Sequence, residues 1–152
     1  MKTVAVVLPT LVQNDAMGND VLIEYNLLKK NGYNALLFAE NREQVFEKDI
    51  CNINDLLKAD VIIYHHGINW ELGETILRNH KGNTRILKYH NVTPVEFMEK
   101  YDPHIAAIVE AGRNQTARLI KKCTHFFSDS QYNQTELIEL GADISKCKVI
   151  AP

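Results

Sequence analysis

Apolar residues in this chain follow two alternating rhythms: short unbroken runs, and longer stretches in which they recur every three or four positions. Residues 3–8 (TVAVVL) are the first run, rich in β-branched side chains, which predicts a strand covered on both faces. After a loop of Asn, Asp and Gly, Met17, Val21, Leu22, Tyr25 and Leu28 share one helical face, and Asn31-Gly32 supplies the stop. Residues 35–39 give a second strand, and 41–58 are mixed, with a short helix and a turn at 53–57. Residues 61–64 predict a third strand followed by a His65-His66-Gly67 loop, 70–79 a helix, and 86–89 a fourth strand. Thr93-Pro94, just beyond, reads as a helix start.

Ile105, Ile108, Val109, Gly112, Thr116, Leu119 and Ile120 trace the inner face of a long helix over 102–122. Asp102 is its expected N-cap and Pro103 its first helical residue. A fifth strand at 124–128, a helix at 130–140 closed by Gly141, and the beginning of a sixth strand at 148–151 complete the series. Such alternation predicts a Rossmann-like α/β domain spanning 1–152, a mainly parallel sheet with helices on both faces, because parallel strands need long right-handed crossovers. The sixth strand stops at Pro152 with nothing after it, so a longer protein is expected.

Composition narrows the classes. A chain of 152 residues, 45% hydrophobic and 24% charged, can bury a core like an ordinary globular protein. A net charge of −2 offers no basic face for nucleic acid or an anionic membrane. No apolar run approaches the roughly 20 residues of a membrane span. The apolar N-terminus is too short for an export signal and stops at Pro9. Cys51, Cys123 and Cys147 form no Cys-x-x-Cys pair and read as reduced thiols of a cytoplasmic protein.

Open parallel sheets bind ligands beyond the carboxyl ends of their strands. The loops expected there carry Asp15, Gly18 and Asn19, then His65, His66 and Gly67, then His90 and Asn91, then Ser128, Asp129 and Ser130. That polar, histidine-rich edge suits a hydroxylated or phosphorylated ligand. Gly18 either lets an anion approach helix N-terminal N–H groups or is a plain helix-entry glycine. His90-Asn91 could equally be a turn that satisfies local backbone groups. Gly112, inside a helix, costs about 1 kcal/mol relative to alanine and needs close packing as its reason. Arg113 beside it is either a ligand contact or half of an ion pair with a neighbouring acid.

Other chemistries lack their signatures. There is no Gly-x-Gly-x-x-Gly or Walker A sequence and no Gly-x-Ser-x-Gly elbow. No metal is expected, since adjacent His65 and His66 point to opposite sides of an extended segment and His90 has no ligand at the usual spacing. His80, His104 and His125 receive no role.

Five segments, in order, then resemble the N-terminal domain of family 4 glycosyltransferases, which have the GT-B fold. They are Asp15-Ala16-Met17-Gly18-Asn19-Asp20-Val21, Tyr64-His65, Tyr89-His90-Asn91-Val92-Thr93-Pro94, Gly112-Arg113-x-Gln115, and Ser128-Asp129-Ser130-x-Tyr132-Asn133 before a helix ending in Leu140-Gly141. The resemblance covers essentially the whole chain. It implies one half of a GT-B fold, holding the acceptor, with Gly18 and Asn19 near the donor diphosphate and His90 reaching the transferred sugar. His65, Asn91, Arg113 and Ser130 would line the cleft.

The resemblance further implies a metal-independent, retaining transfer from a UDP- or GDP-sugar to a glycan or lipid-linked acceptor of polysaccharide biosynthesis, without a cofactor. Nucleic acid is not an expected partner. Only the acceptor would bring the protein to the inner membrane face. The family's C-terminal nucleotide-sugar domain, with its Glu-x7-Glu motif, is absent from this sequence, and no Asp-x-Asp occurs. The isolated chain is therefore expected to be inactive. The alternative is a stand-alone Rossmann-like binding or regulatory module that partners a separate catalytic subunit.

Overall fold

The computed structural model describes residues 1–151; Pro152, at the end of the expected sixth strand, lies outside them. Six strands, β1 (Thr3–Leu11), β2 (Asn34–Arg42), β3 (Val61–His66), β4 (Thr84–Tyr89), β5 (His125–Ser128) and β6 (Cys147–Val149), form one sheet in the order β2-β1-β3-β4-β5-β6. Every neighbouring pair is parallel. The connections carry α1 (Ala16–Lys30), α2 (Ile53–Leu56), α3 (Glu71–Asn79), α4 (Pro103–Ile120) and α5 (Gln131–Glu139). The fold is thus the mainly parallel α/β sheet that the alternating pattern predicts.

The chain leaves β1 in one direction to reach β2 and in the other to reach β3 through β6. Right-handed crossovers then place α1 on one face and the later helices on the other. Strand alternation sorts the core accordingly. Val6, Leu8 and Leu11 pack with Val21 and the half-buried Met17, Leu22, Tyr25 and Leu28 of α1. Ala5, Val7, Ile62, Tyr64, Leu87 and Tyr89 pack with Ile76, Leu77, Leu119 and Leu137 on the opposite face. The direction changes between β1 and β3, which opens a crevice at their carboxyl ends.

Two expectations are corrected. His65 and His66 are not loop residues: β3 runs through both, in register with Lys88 and Tyr89 of β4, and both are fully buried. Histidine reads as a loop residue when its partners are unseen, yet here a helix on each face supplies one. Thr93-Pro94 starts only a single 3-10 turn, Val95–Phe97. Pro103 disfavours helical backbone at Asp102, which stays extended and instead caps α4 by accepting from the N–H groups of His104 and Ile105.

Gly112 has the packing reason its position demanded. A Cβ there would lie 3.0 Å from Val92 Cγ1 and 3.3 Å from the Asn69 nitrogen, so α4 sits directly on the loops that follow β3 and β4.

Candidate functional site

At the crevice, Asp15 caps α1 by accepting from the Gly18 N–H at 2.8 Å. A cavity of about 310 Å³ opens beside this first turn, lined by Asp15, Ala16, Met17, Gly67, His90, Asn91 and Asp129. A larger one, about 580 Å³, lies at the opposite edge of the sheet among Lys2, Lys58 and Lys81. All three lysines are exposed, and amino-terminal strand edges are not where parallel sheets place ligands, so the smaller cavity is the candidate site.

Beneath it four side chains, from α1, β3 and the loops after β4 and β5, stand in line. His65 Nε2 lies 2.8 Å from Glu24 Oε2 of α1, His65 Nδ1 lies 2.8 Å from His90 Nε2, and His90 Nδ1 lies 2.7 Å from Asp129 Oδ2. Ionised carboxylates only accept hydrogen bonds. His65 Nε2–H therefore donates to Glu24 and His90 Nδ1–H to Asp129. Burial pushes the His65 imidazole down, against the hydrogen bond and charge of Glu24. Burial alone would raise the Asp129 carboxyl, but the hydrogen bond and charge of His90, with Lys88, outweigh it and hold the group below its ordinary range.

Two further charges flank the line. Lys88 Nζ donates to the Ile150 carbonyl at 2.7 Å and lies 3.4 Å from both Asp20 Oδ2 and Asp129 Oδ1. Asp20 Oδ2 is 3.8 Å from His65 Nδ1 and from His90 Nε2. It is buried and accepts no hydrogen bond. The ligand atoms of Asp20, His65 and His90 all lie within 4.8 Å of one another, a set that could hold a metal ion.

The other expected site residues fall into two groups. Asn91 is on the rim, with positive φ (71°) and its Oδ1 3.4 Å from the Tyr89 hydroxyl oxygen. Asn19 is exposed on the first turns of α1. Gly18 packs its α-carbon close to Val12, and its N–H is taken by Asp15. Arg113 and Ser130 do not line the cavity. Arg113 donates to the Val92 carbonyl at 2.8 Å and to Glu136 at 2.9 Å, while Ser130 caps α5 by accepting from the Asn133 N–H. His66 faces away from this site, toward Thr116 on the α4 side, as the alternation of an extended chain requires.

Sequence reasoning passed over Asp20, Glu24 and Lys88 as functional groups, and placed Asp129 at the polar edge without giving it a role of its own. Two signals were present. Asp20 and Glu24 stand four residues apart among the inward positions of α1, and Lys88 interrupts a buried strand run, where an unpaired lysine is rare.

No protein-family model matches the chain, and no curated protein does. Among solved structures, it is similar to an alpha-glucosyltransferase in complex with UDP and a 13-mer DNA containing a central A:G mismatch, with a TM-score of 0.57 at 11% identity. The alignment covers 98% of this chain and 40% of that one. The fold is glycosyltransferase-like, of the GT-B type. At this identity the likeness is one of architecture, and the chain spans well under half of the length of the protein it matches. Among the described residues, no helix is long and apolar enough to cross a membrane.

Proposed function

We propose that this chain is the acceptor-side wall of a family 4 type glycosyltransferase, which moves a sugar from a UDP- or GDP-sugar to a glycan or lipid-linked acceptor with retention of configuration. The observation that carries the reading is the single cavity on which the first turn of α1, Gly67, His90 and Asn91 converge. The positive end of α1 suits the donor diphosphate. Because the Gly18 N–H is engaged, the phosphate oxygens meet the Ala16 and Met17 end of that turn, while Gly18 lets the turn pack tightly and Asn19 flanks it.

His90 is the catalytic residue of this reading. Both of its ring nitrogens already have partners, so a sugar hydroxyl reaches it by taking over the Asp129 contact, the side that faces the cavity. His65 holds His90 from behind, and Asn91 meets the sugar at the rim. Arg113 and Ser130 complete the cleft on the side of α4 and α5. Glycosyl transfer must stabilise a cationic sugar and a departing diphosphate together, which calls for a second wall with its own basic groups. That wall is the nucleotide-sugar domain, and the reaction proceeds without a metal.

The test is transfer from a panel of UDP- and GDP-sugars by the natural gene product that carries this chain, beside residues 1–152 alone. His90→Ala should lower kcat by at least about 100-fold, in the range of a lost acid–base or positioning group. Residues 1–152 alone should give no measurable transfer. A His90→Ala enzyme that turns over like wild type would end the assignment.

A further inference from the structure

The line of histidines carries a charge imbalance that the glycosyl-transfer reading does not use. Asp20, Glu24 and Asp129 bring three half-buried carboxylates around the two imidazoles, against one ammonium, that of Lys88. Among the described residues no other Lys or Arg lies within ion-pair distance of these carboxylates. The group left without a hydrogen bond is Asp20 Oδ2, buried and aimed at the gap between the two imidazoles.

We infer that Asp20, His65 and His90 form a binding site for a divalent transition-metal cation of the Zn²⁺ class. The three donor atoms make a triangle with edges of 2.8, 3.8 and 3.8 Å. Tetrahedral zinc, with bonds of about 2.0–2.1 Å, sets its donors about 3.3 Å apart, so the imidazoles need part by only about 0.5 Å. Each imidazole is already oriented for this through its outer nitrogen, His65 by Glu24 and His90 by Asp129, the carboxylate–histidine arrangement that fixes metal-binding rings. A divalent ion between the rings adds positive charge where three carboxylates face one ammonium. Two imidazoles and one carboxylate select Zn²⁺, Co²⁺ or Ni²⁺ over Mg²⁺, which wants six oxygens. Of the three ligands only His90 also lines the cavity, and the ion enters past it.

This inference stands apart from the proposed transfer reaction. A cation held there takes His90 Nε2, on the far side of the ring from the Asp129 contact, so the proposed transfer neither uses nor needs it.

The experiment is equilibrium binding of Zn²⁺ and of Mg²⁺ to the whole chain, with Co²⁺ absorption spectra as a report on the ligands. One Zn²⁺ per chain and no competition by Mg²⁺ are expected, with Co²⁺ giving tetrahedral d–d bands and no thiolate charge-transfer band. Asp20→Asn and His65→Gln should each weaken Zn²⁺ binding at least about 100-fold, and Glu24→Gln about 10-fold, as a lost orienting partner does. Cys147→Ser, the control for adventitious thiol binding, should bind as wild type. Asp20→Asn keeps the size of the side chain and decides the matter if His65→Gln does not fold. Absence of a stoichiometric Zn²⁺ site, a thiolate band, or unchanged affinity in Asp20→Asn would each overturn the inference. None of these outcomes depends on a nucleotide sugar, so failure here leaves the glycosyl-transfer reading to its own test.

Discussion

His66 illustrates how a single side chain is fixed by what it touches. The Thr116 hydroxyl donates to the Gly112 carbonyl at 3.0 Å, so it accepts from His66 Nε2–H at 2.8 Å. That assigns the neutral Nε2–H tautomer and leaves Nδ1 buried with no acceptor nearby. Protonating Nδ1 would bury an unpaired N–H, and burial accordingly pushes the imidazole from 6.5 down to about 4. His80, which donates to the Ala59 carbonyl, is lowered for the same reason. Between pH 6.5 and about 4 the unfolded chain binds more protons at these sites than the folded one. Their contribution to stability is therefore complete above pH 6.5 and is lost as pH falls, with His66 alone worth about 3 kcal/mol. Urea midpoints measured at about pH 7.5 and about pH 5 should fall with acid, and His66→Phe should flatten the dependence. An acid-insensitive midpoint in the wild type would contradict this account.

At the scale of elements, the site depends on how closely α3 and α4 sit against the strand ends. A Cβ on Gly73 would collide with the rings of Trp70 and Tyr64, which stack at 5.4 Å. Gly73→Ala should therefore cost at least about 2 kcal/mol, since overpacking outweighs the roughly 1 kcal/mol gained in helix propensity. The loop after β4 is pinned differently. Arg113 of α4 ties the Val92 carbonyl to Glu136 of α5, while the Tyr89 hydroxyl donates to Glu136 at 3.2 Å and accepts from the Val92 N–H at 3.2 Å. Arg113→Met removes both tethers and leaves a buried carboxylate without its cation, for a loss of about 2 kcal/mol in urea unfolding at unchanged m. Because this knot lies two residues beyond His90, the same variant should also loosen the rim. Hydrogen exchange at Asn91 and Val92 would report it, and exchange equal to wild type would mean the knot does not hold the loop.

For the molecule as a whole, the alternating rhythm of the chain was enough to specify six strands, the helices between them and a parallel sheet. Burying a face is a local instruction written in periods of two and 3.6. It also fixed which loops gather at the carboxyl edge, and so brought Asp15, Gly18, His90 and Asn91 under suspicion before any coordinates. It set His65 and His66 on opposite faces, although it ended β3 two residues early. What the rhythm could not supply was the pairing of polar groups. Glu24 meets His65 across 41 residues, Arg113 meets Glu136 across 23, and Lys88 reaches Ile150 across 62. Such partners are chosen by the cost of leaving a buried donor or acceptor unsatisfied, and that cost exists only once the chain has closed around them. Hence the sequence alone decided the architecture and the edge where the candidate site lies. Only the tertiary structure decided that Asp20, Glu24 and Asp129 surround the two histidines, because desolvation, unlike periodicity, has no signature in the order of residues.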